Sequence, residues 1–287
     1  MSEGAEIYMD SNVLAEDCFL LLGNPVEHSL SPLIQNAAFK SEQVPRAYDK
    51  LCCEESDLER VMRGLAKLGL GGNVTVPYKE TVVNMIDQPS EAVLRTGACN
   101  TFWTRDGQIL GDNTDVEGFR RACRSFLGDS PRGLKILVLG AGGVVRAVLL
   151  SLLNDGVGEI ILLNRTWERA KVIANHFENT KIRVVKNSQD LKGGEFDLII
   201  NGTSLGLRPN DEVPFDLGLV SGVSGVMDLV YGKVLTSFVK SARERGFPGV
   251  DGTEMLLQQA AVSFECWLDK TAPLDTMRRT LEDVLFE

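Results

Sequence analysis

Residues 135–143 leave this chain little choice of fold, because the apolar run Lys135-Ile136-Leu137-Val138-Leu139 passes directly into Gly140-Ala141-Gly142-Gly143. A continuous Val/Ile/Leu run without polar alternation suits a strand buried on both faces, as in a parallel sheet. A helical pattern follows from about Val144 to Leu153, so strand, tight turn and helix come in the order that opens a doubly wound α/β domain. Further strand candidates at 159–163, 182–185, 196–200 and 225–229 alternate with helical stretches at 168–177 and 235–245.

The first half is also α/β. Cys18 to Gly23 (CFLLLG) is a short apolar strand, and Ser31-Pro32 then opens a helix with Ser31 as N-cap and proline in the first turn. A strand at 47–52 precedes Ser56-Asp57-Leu58-Glu59, which has capping-box spacing at the head of a helix running to about Leu68. Between Gly71 and Asp115 the reading is loop-rich, with polar clusters at Asn73-Val74-Thr75, Cys99-Asn100-Thr101 and Asp112-Asn113-Thr114-Asp115. Thr114 and Glu117 repeat the capping-box spacing and start a helix to about Leu127 with Asp115 on its first turn. After the turn-rich stretch 128–131 the second domain begins, and two further helical patterns follow from Thr253 to the end.

With 287 residues the chain is long enough for two domains, and a net charge of -10 with scattered basic residues lacks a nucleic-acid footprint. No apolar run approaches the roughly 18 residues that span a bilayer. The acidic leader 1–17 does not look like a secretory signal. Six cysteines without C-x-x-C spacing and two separated histidines, His28 and His176, point to reduced thiols in the cytoplasm and to no metal site.

Gly140-x-Gly142 after a strand is where a dinucleotide pyrophosphate would meet a helix N-terminus, although Val145 holds the third glycine position of the fingerprint; a tight strand–helix turn with no ligand is the plain alternative. About 20 residues on, an NAD site carries an acidic residue for the ribose 2′-hydroxyl. Here the chain has Asn164-Arg165-Thr166, with Arg169 one turn later. Guanidinium groups in place of a carboxylate favour a 2′-phosphate, hence NADP; solvent-facing arginines at a helix start are the alternative. Lys79, two residues after Pro77, sits at a helix start where a cation is electrostatically misplaced. A lysine so held can move a proton to or from a hydroxyl or carbonyl, with Asp115 orienting it; two surface charges are the plain alternative. Ser29 and Ser31 flank Leu30 and in an extended segment would grip one small anion together, or else serve as ordinary caps.

These motifs together resemble the shikimate dehydrogenase family. The resemblance is carried by Gly23-Asn24-Pro25-Val26-Glu27-His28-Ser29-Leu30-Ser31-Pro32, Asn73-Val74-Thr75-Val76-Pro77-Tyr78-Lys79, Gly97-Ala98-Cys99-Asn100-Thr101 and Gly111-Asp112-Asn113-Thr114-Asp115. It continues through the Gly140 turn, Asn164-Arg165-Thr166, Asn201-Gly202-Thr203-Ser204 and Gly252-Thr253-Glu254-Met255-Leu256-Leu257-Gln258-Gln259, in family order from about residue 18 to the C-terminus. It implies reversible NADPH-dependent reduction of 3-dehydroshikimate to shikimate, with a quinate or dual quinate/shikimate dehydrogenase as the neighbouring alternative and a catalytically silent metabolite-binding relative further off.

The same resemblance implies roles for named residues. Ser29 and Ser31 would bind the substrate carboxylate; Asn73, Asn100, Asp115 and Gln259 the ring hydroxyls; Thr75 and Thr114 would line the pocket. Lys79 would be the acid/base paired with Asp115, with Tyr231 near the substrate. Gly140, Ala141, Gly142, Gly143, Asn164, Arg165, Thr166, Arg169, Thr203 and Met255 would hold NADP, with Met255 near the nicotinamide. The implied architecture is α/β throughout: a substrate-binding domain at 18–116, a Rossmann-type doubly wound NADP-binding domain at 117–252, and C-terminal helices at 253–287 returning to the first domain. The expected partner is a small-molecule substrate, with no nucleic acid or membrane, and the chain is expected to act as a monomer or homodimer. Departures from the family pattern are Gln35-Asn36, where a His before Asn is usual, Lys233 and Ser237 in place of prolines after Tyr231, and an acidic leader before Cys18 that is longer than is usual.

Overall fold

A computed structural model describes residues 17–208 and 210–286, so the leader 1–16 lies outside the described residues. The chain divides into two compact units, residues 1–114 with 259–284, and residues 115–258 with 285–287.

The first unit carries β1 (Cys18–Gly23), α1 (Ser31–Ser41), β2 (Ala47–Cys52), α2 (Leu58–Lys67), β3 (Gly72–Val74), β4 (Gln88–Pro89), α3 (Glu91–Thr96), β5 (Thr101–Arg105) and β6 (Gln108–Asp112). Its mixed sheet has the order β2-β1-β3-β5-β6-β4. β1 is buried along its whole length and pairs in parallel with β2 and β3, which is why its sequence is uninterruptedly apolar. Residues 71–115 are more regular than the loop-rich expectation: β5 and β6 form an antiparallel hairpin closed by Asp106-Gly107, both at positive φ. Asp-Gly between extended segments is the turn that such a hairpin needs.

The second unit carries α4 (Asp115–Leu127), β7 (Lys135–Leu139), α5 (Gly143–Asn154), β8 (Glu159–Leu163), α6 (Trp167–Phe177), β9 (Ile182–Val185), β10 (Glu195–Phe196), β11 (Leu198–Asn201), β12 (Gly222–Val223), β13 (Val226–Asp228), α7 (Ser237–Glu244), β14 (Gly249–Val250) and the start of α8 (Thr253–Leu268). Six parallel strands run in the order β14-β13-β11-β7-β8-β9. The chain starts in the middle, winds one way through β8 and β9 and then the other way through β11, β13 and β14, which is the doubly wound Rossmann arrangement expected. Alternate residues feed opposite cores: Ile136, Val138, Ile160, Leu162, Leu198 and Ile200 pack on one face. Leu137, Leu139, Ile161 and Ile199 pack on the other, with Phe238 and Ala242 of α7. Each such side chain contributes on the order of 1.5–3 kcal/mol on full burial, and a polar substitution on either face would break the layer. The reversal between β7 and β11 leaves a crevice beyond their carboxyl ends, where Gly140 and Gly202 lie.

The part of α8 from Gln259 onward and α9 (Leu274–Phe286) belong to the first unit, apart from the last residues of α9. There Trp267 packs on Phe19 and Tyr48, and Phe264 on Phe39, with ring centroids 4.8, 5.7 and 5.9 Å apart. Two helix starts differ from expectation. A 3-10 turn at Glu55–Asp57 precedes α2, whose N-cap is Asp57 without a side-chain bond, so the Ser56/Glu59 box does not form. Leu30, not Ser31, is the N-cap of α1.

Candidate active site

The β1–α1 loop delivers the two serines. Ser29 Oγ accepts the Ser31 N–H at 3.2 Å, so Ser29 tethers the first N–H of α1, and Ser31 is the first helical residue with Pro32 behind it. An acceptor role for Ser29 Oγ leaves its own O–H proton to donate. Both hydroxyls therefore stand beside the N-terminus of α1, which favours an anion.

Asn73, on β3, and Asn100, just before β5, are buried. Asn73 Nδ2 donates to the Asn100 carbonyl at 3.0 Å and lies 2.9 Å from Thr101 Oγ1 and 3.0 Å from Ser263 Oγ. Its Oδ1 accepts from Tyr48 Oη at 2.7 Å. Asn100 Oδ1 accepts from Thr114 N at 2.8 Å, and the hydroxyls of Thr101 and Thr114 lie 2.9 and 3.1 Å from it. The hydroxyls of Thr101, Thr114 and Ser263 lie 2.9–3.1 Å from one another, and none of the three residues is exposed. Thr114, expected to line a pocket and to cap α4, turns its hydroxyl into this cluster. Tyr48, Thr101 and Ser263 are additions to the expected site residues. Thr101 ends the Gly97-Ala98-Cys99-Asn100-Thr101 motif, but nothing near Tyr48 or Ser263 in the chain marks them.

Lys79 lies in the turn after β3 and is half-buried. Its carbonyl accepts from Cys99 N at 2.7 Å, which ties the turn to the segment carrying Asn100. The helix expected to start here is a five-residue 3-10 stretch, Thr81–Met85, so a full helix dipole does not act on the ammonium. Thr75, half-buried, is anchored through its N–H to the Leu22 carbonyl at 2.8 Å. Gln259, on α8, is half-buried and its carbonyl accepts from Ser263 Oγ at 2.9 Å. All of these belong to the first unit.

In the second unit Asp115 opens α4 and is 5% exposed. Tyr231, half-buried, follows Asp228, whose Oδ1 accepts from Asn201 Nδ2 at 2.8 Å and from Val230 N at 3.1 Å. Burial raises both the Tyr231 phenol and the Asp228 carboxyl above their usual ranges. Thr203 is held through its N–H and hydroxyl to Asn201 Oδ1, at 3.0 and 2.7 Å. Met255 is buried within the core against one face of the sheet.

The turn after β7 is tight and leaves no room for a side chain at Gly140. Gly140 adopts φ +110°, and a Cβ there would lie 2.9 Å from the Gly202 carbonyl carbon and oxygen. Gly142 is the N-cap of α5 and makes no side-chain cap, so the first N–H groups of that helix face the turn. Val145, at the fingerprint's third glycine, is fully buried against Gly202, where an added Cβ would lie 2.7 Å from Val145 Cγ2. Close helix–strand packing is therefore retained, with the missing side chain on β11's side. After β8, Asn164 Nδ2 holds the turn by donating to the Thr166 carbonyl at 2.7 Å, and Thr166 is the N-cap of α6 without a side-chain cap. Arg165 and Arg169 are exposed, and neither makes an ion pair or side-chain hydrogen bond among the described residues. Among the described residues no group of three or more His, Cys, Asp or Glu could hold a metal, and no helix is long and apolar enough to cross a membrane.

Known proteins share this layout. Family models for a shikimate dehydrogenase substrate binding domain, a shikimate/quinate 5-dehydrogenase and a shikimate 5'-dehydrogenase C-terminal domain match residues 21–102, 124–206 and 252–282. The shikimate dehydrogenase (NADP(+)) of Methanopyrus kandleri is 37% identical over 294 residues, covering 98% of each chain. This chain belongs to the shikimate dehydrogenase family. The solved shikimate dehydrogenase of Aquifex aeolicus superposes with a TM-score of 0.85 at 32% identity over 93% of this chain and 98% of that one. A shikimate 5-dehydrogenase of Thermus thermophilus in complex with NADP(H) and shikimate gives 0.84 at 31% identity, over 93% and 99%.

Two departures from the family pattern, Gln35 and Ser237, have structural accounts, and nothing in the structure explains Lys233. Gln35 is fully buried and donates through Nε2 to the Ala260 carbonyl at 2.8 Å, so it ties α1 to α8. Near Ser237 the stiffness that proline lends to a helix start is supplied by capping, since Thr236 Oγ1 accepts from Val239 N at 3.3 Å.

Proposed function

We propose that this chain catalyses the reversible NADPH-dependent reduction of 3-dehydroshikimate to shikimate, a step toward chorismate and the aromatic amino acids. The observation that carries the reading is the tie between Lys79 and the Asn100 segment. It ties the turn that carries Lys79 to the segment that carries Asn100, whose carbonyl accepts from the buried Asn73 amide, and these are residue types suited to a hydroxylated ring. Ser29 and Ser31 take the carboxylate, and Thr75 borders the ring with Gln259. Thr114 supports Asn100 from behind. Lys79 stabilises negative charge growing on the carbonyl oxygen and delivers the proton to it; in the reverse direction it removes the proton from the C–OH. Asp115 is the acid/base partner of Lys79 in this reading, and Tyr231 borders the substrate.

The second unit is the NADP domain in this reading, and NADP when bound supplies the nicotinamide that exchanges hydride with the substrate carbon. Gly140, Ala141, Gly142 and Gly143 cradle its pyrophosphate, and Asn164, Arg165, Thr166 and Arg169 take the 2′-phosphate. Thr203 and Met255 complete the site. Two features support the fit: the Gly140 turn, which a Cβ would fill, and the Arg165 and Arg169 guanidiniums, which make no ion pair among the described residues. The enzyme works in the cytoplasm, as a monomer or homodimer, which accords with six free cysteines.

Nicotinamide absorbance with shikimate and NADP tests the proposal, with quinate and NAD as comparators. Turnover is expected with the first pair, and Lys79→Ala should lower it by roughly 10²-fold or more while NADP affinity stays nearly constant. An unaltered rate would remove Lys79 from the mechanism. Faster oxidation of quinate with NAD would replace the shikimate assignment.

A further inference from the structure

Hydrogen-bond directions in the cluster around Asn73 and Asn100 are fixed by its backbone members. A backbone carbonyl can only accept, so the Asn100 carbonyl, 3.0 Å from the Asn73 amide, requires Nδ2 on that side. Asn73 Oδ1 must then face Tyr48, and because a carbonyl oxygen has no proton, Tyr48 Oη must be the donor across the 2.7 Å contact. A backbone N–H can only donate, so the Thr114 N–H, 2.8 Å from Asn100, requires Oδ1 there. Neither amide can flip without setting like groups against each other.

Occupancy follows from direction. The two Nδ2 protons of Asn73 face the Asn100 carbonyl at 3.0 Å and the hydroxyls of Thr101 and Ser263 at 2.9 and 3.0 Å, which consumes both. Asn73 therefore meets any ligand as an acceptor, through the second lone pair of Oδ1. Asn100 Oδ1 is filled by Thr114 N–H and by the Thr101 or Thr114 hydroxyl at 2.9 and 3.1 Å, so the Asn100 side-chain oxygen has no acceptor place left for a ligand.

We propose that Tyr48 and Thr101 are positioning residues that hold these two amides in opposite hydrogen-bond senses. The site thereby selects a ligand with one hydroxyl placed to donate to Asn73 rather than to the Asn100 side chain. Tyr48 acts from β2 and Thr101 from β5, and neither needs to touch substrate. Burial pushes the Tyr48 phenol well above its ordinary value, which favours the protonated, donating form. The inference rests on the assignment of Asn73 to substrate binding, and its test separates the two.

The test is a double-mutant cycle of Tyr48→Phe and Asn73→Ala, reading KM for shikimate, kcat, and NADP affinity by fluorescence titration. Tyr48→Phe leaves Asn73 Oδ1 with one buried partner fewer and loosens the position of the amide without reversing its sense. It should raise KM for shikimate roughly five- to twentyfold. NADP affinity should stay within about twofold, because the cofactor residues lie in the other unit. In the Asn73→Ala background the same substitution should change KM less than about twofold, since Tyr48 acts through Asn73. A Tyr48→Phe effect that persists at full size in that background overturns the positioning role while leaving Asn73 in the site. An Asn73→Ala enzyme with unchanged KM overturns the substrate assignment itself. A loss of NADP affinity equal to the loss in shikimate KM marks Tyr48→Phe as a general structural lesion and also overturns the role. Thr101→Val removes the hydroxyl shared by both amides at nearly constant volume; its effect on KM should shrink but not vanish in the Asn73→Ala background, since Thr101 also reaches Asn100, and an effect of full size there overturns the role should Tyr48→Phe not fold.

Discussion

Replacing Gly140 with alanine puts a methyl group where the second unit has no room for one. At φ +110° an L side chain is strained whatever surrounds it, and here the Cβ would meet the Gly202 carbonyl carbon and oxygen at 2.9 Å and Thr203 N at 3.1 Å. Those atoms are backbone, held by the Gly202 N–H bond to the Leu139 carbonyl at 2.8 Å, so they cannot swing aside as a flexible side chain would. Backbone strain of this kind costs about 1–3 kcal/mol, and forced overpacking about another 1–3. Because movement that relieves one relieves part of the other, a total of about 2–4 kcal/mol is expected. At about 2–4 °C per kcal/mol for a unit of this size, Tm should fall by roughly 5–15 °C, and the displaced turn should weaken NADP binding at least about tenfold. Gly142→Ala is the matched control: its φ of -98° suits any residue, and an added Cβ meets nothing within 4 Å. Its Tm should stay within about 2 °C, yet NADP should bind at least about tenfold more weakly because the methyl blocks the approach of a pyrophosphate. Calorimetry with NADP and a thermal melt on both variants provide the measurement. Wild-type NADP affinity in Gly142→Ala would refute the cradle, and an unchanged Tm in Gly140→Ala would refute the steric argument.

Replacing Arg165 and Arg169 together with alanine should raise KM for NADP roughly 10–100-fold and change KM for NAD less than about threefold; equal losses with both cofactors would show that these groups do not contact the 2′-phosphate. Asp155 has a side chain only 4% exposed and accepts from Arg120 Nε and from Arg124 Nε and Nη2, all at 2.8–2.9 Å, joining the end of α5 to α4. Burial alone would raise its pKa, but the bonds from Arg124 and Arg120 outweigh burial and hold it below the ordinary 3.8. A depressed carboxylate pKa contributes stability above 3.8 that is lost as pH falls through the folded value, so Asp155→Asn should cost about 2 kcal/mol at pH 7, with the gap to wild type closing below pH 3.8. Urea melts at about pH 7, 5 and 3 read this directly, and a gap that widens in acid would reverse the assignment.

The parallel sheet of the second unit is legible in the chain before any folding. Strands buried on both faces must be apolar at every position, and such runs as KILVL and EIILL show that requirement locally. The Gly140 turn and the cationic stretch after β8 are legible too, because short spacings carry their chemistry. Lys79 and the two serines stand out for the same reason, although Ser29 rather than Ser31 is the residue that tethers α1. Other features exist only in three dimensions. The β5–β6 hairpin is hidden because its strands mix polar and apolar residues, leaving Asp106-Gly107 as the single local sign. Capping spacing at Ser56 and Thr114 misleads because a tertiary contact or an extra turn claims the hydroxyl or the cap position in the folded chain. The Asn73 cluster joins residues 25 positions apart at Tyr48 and 190 apart at Ser263. A hydrogen bond between such partners leaves no periodicity in the chain, since its geometry arises after strands and helices have been brought together by burial of their apolar faces.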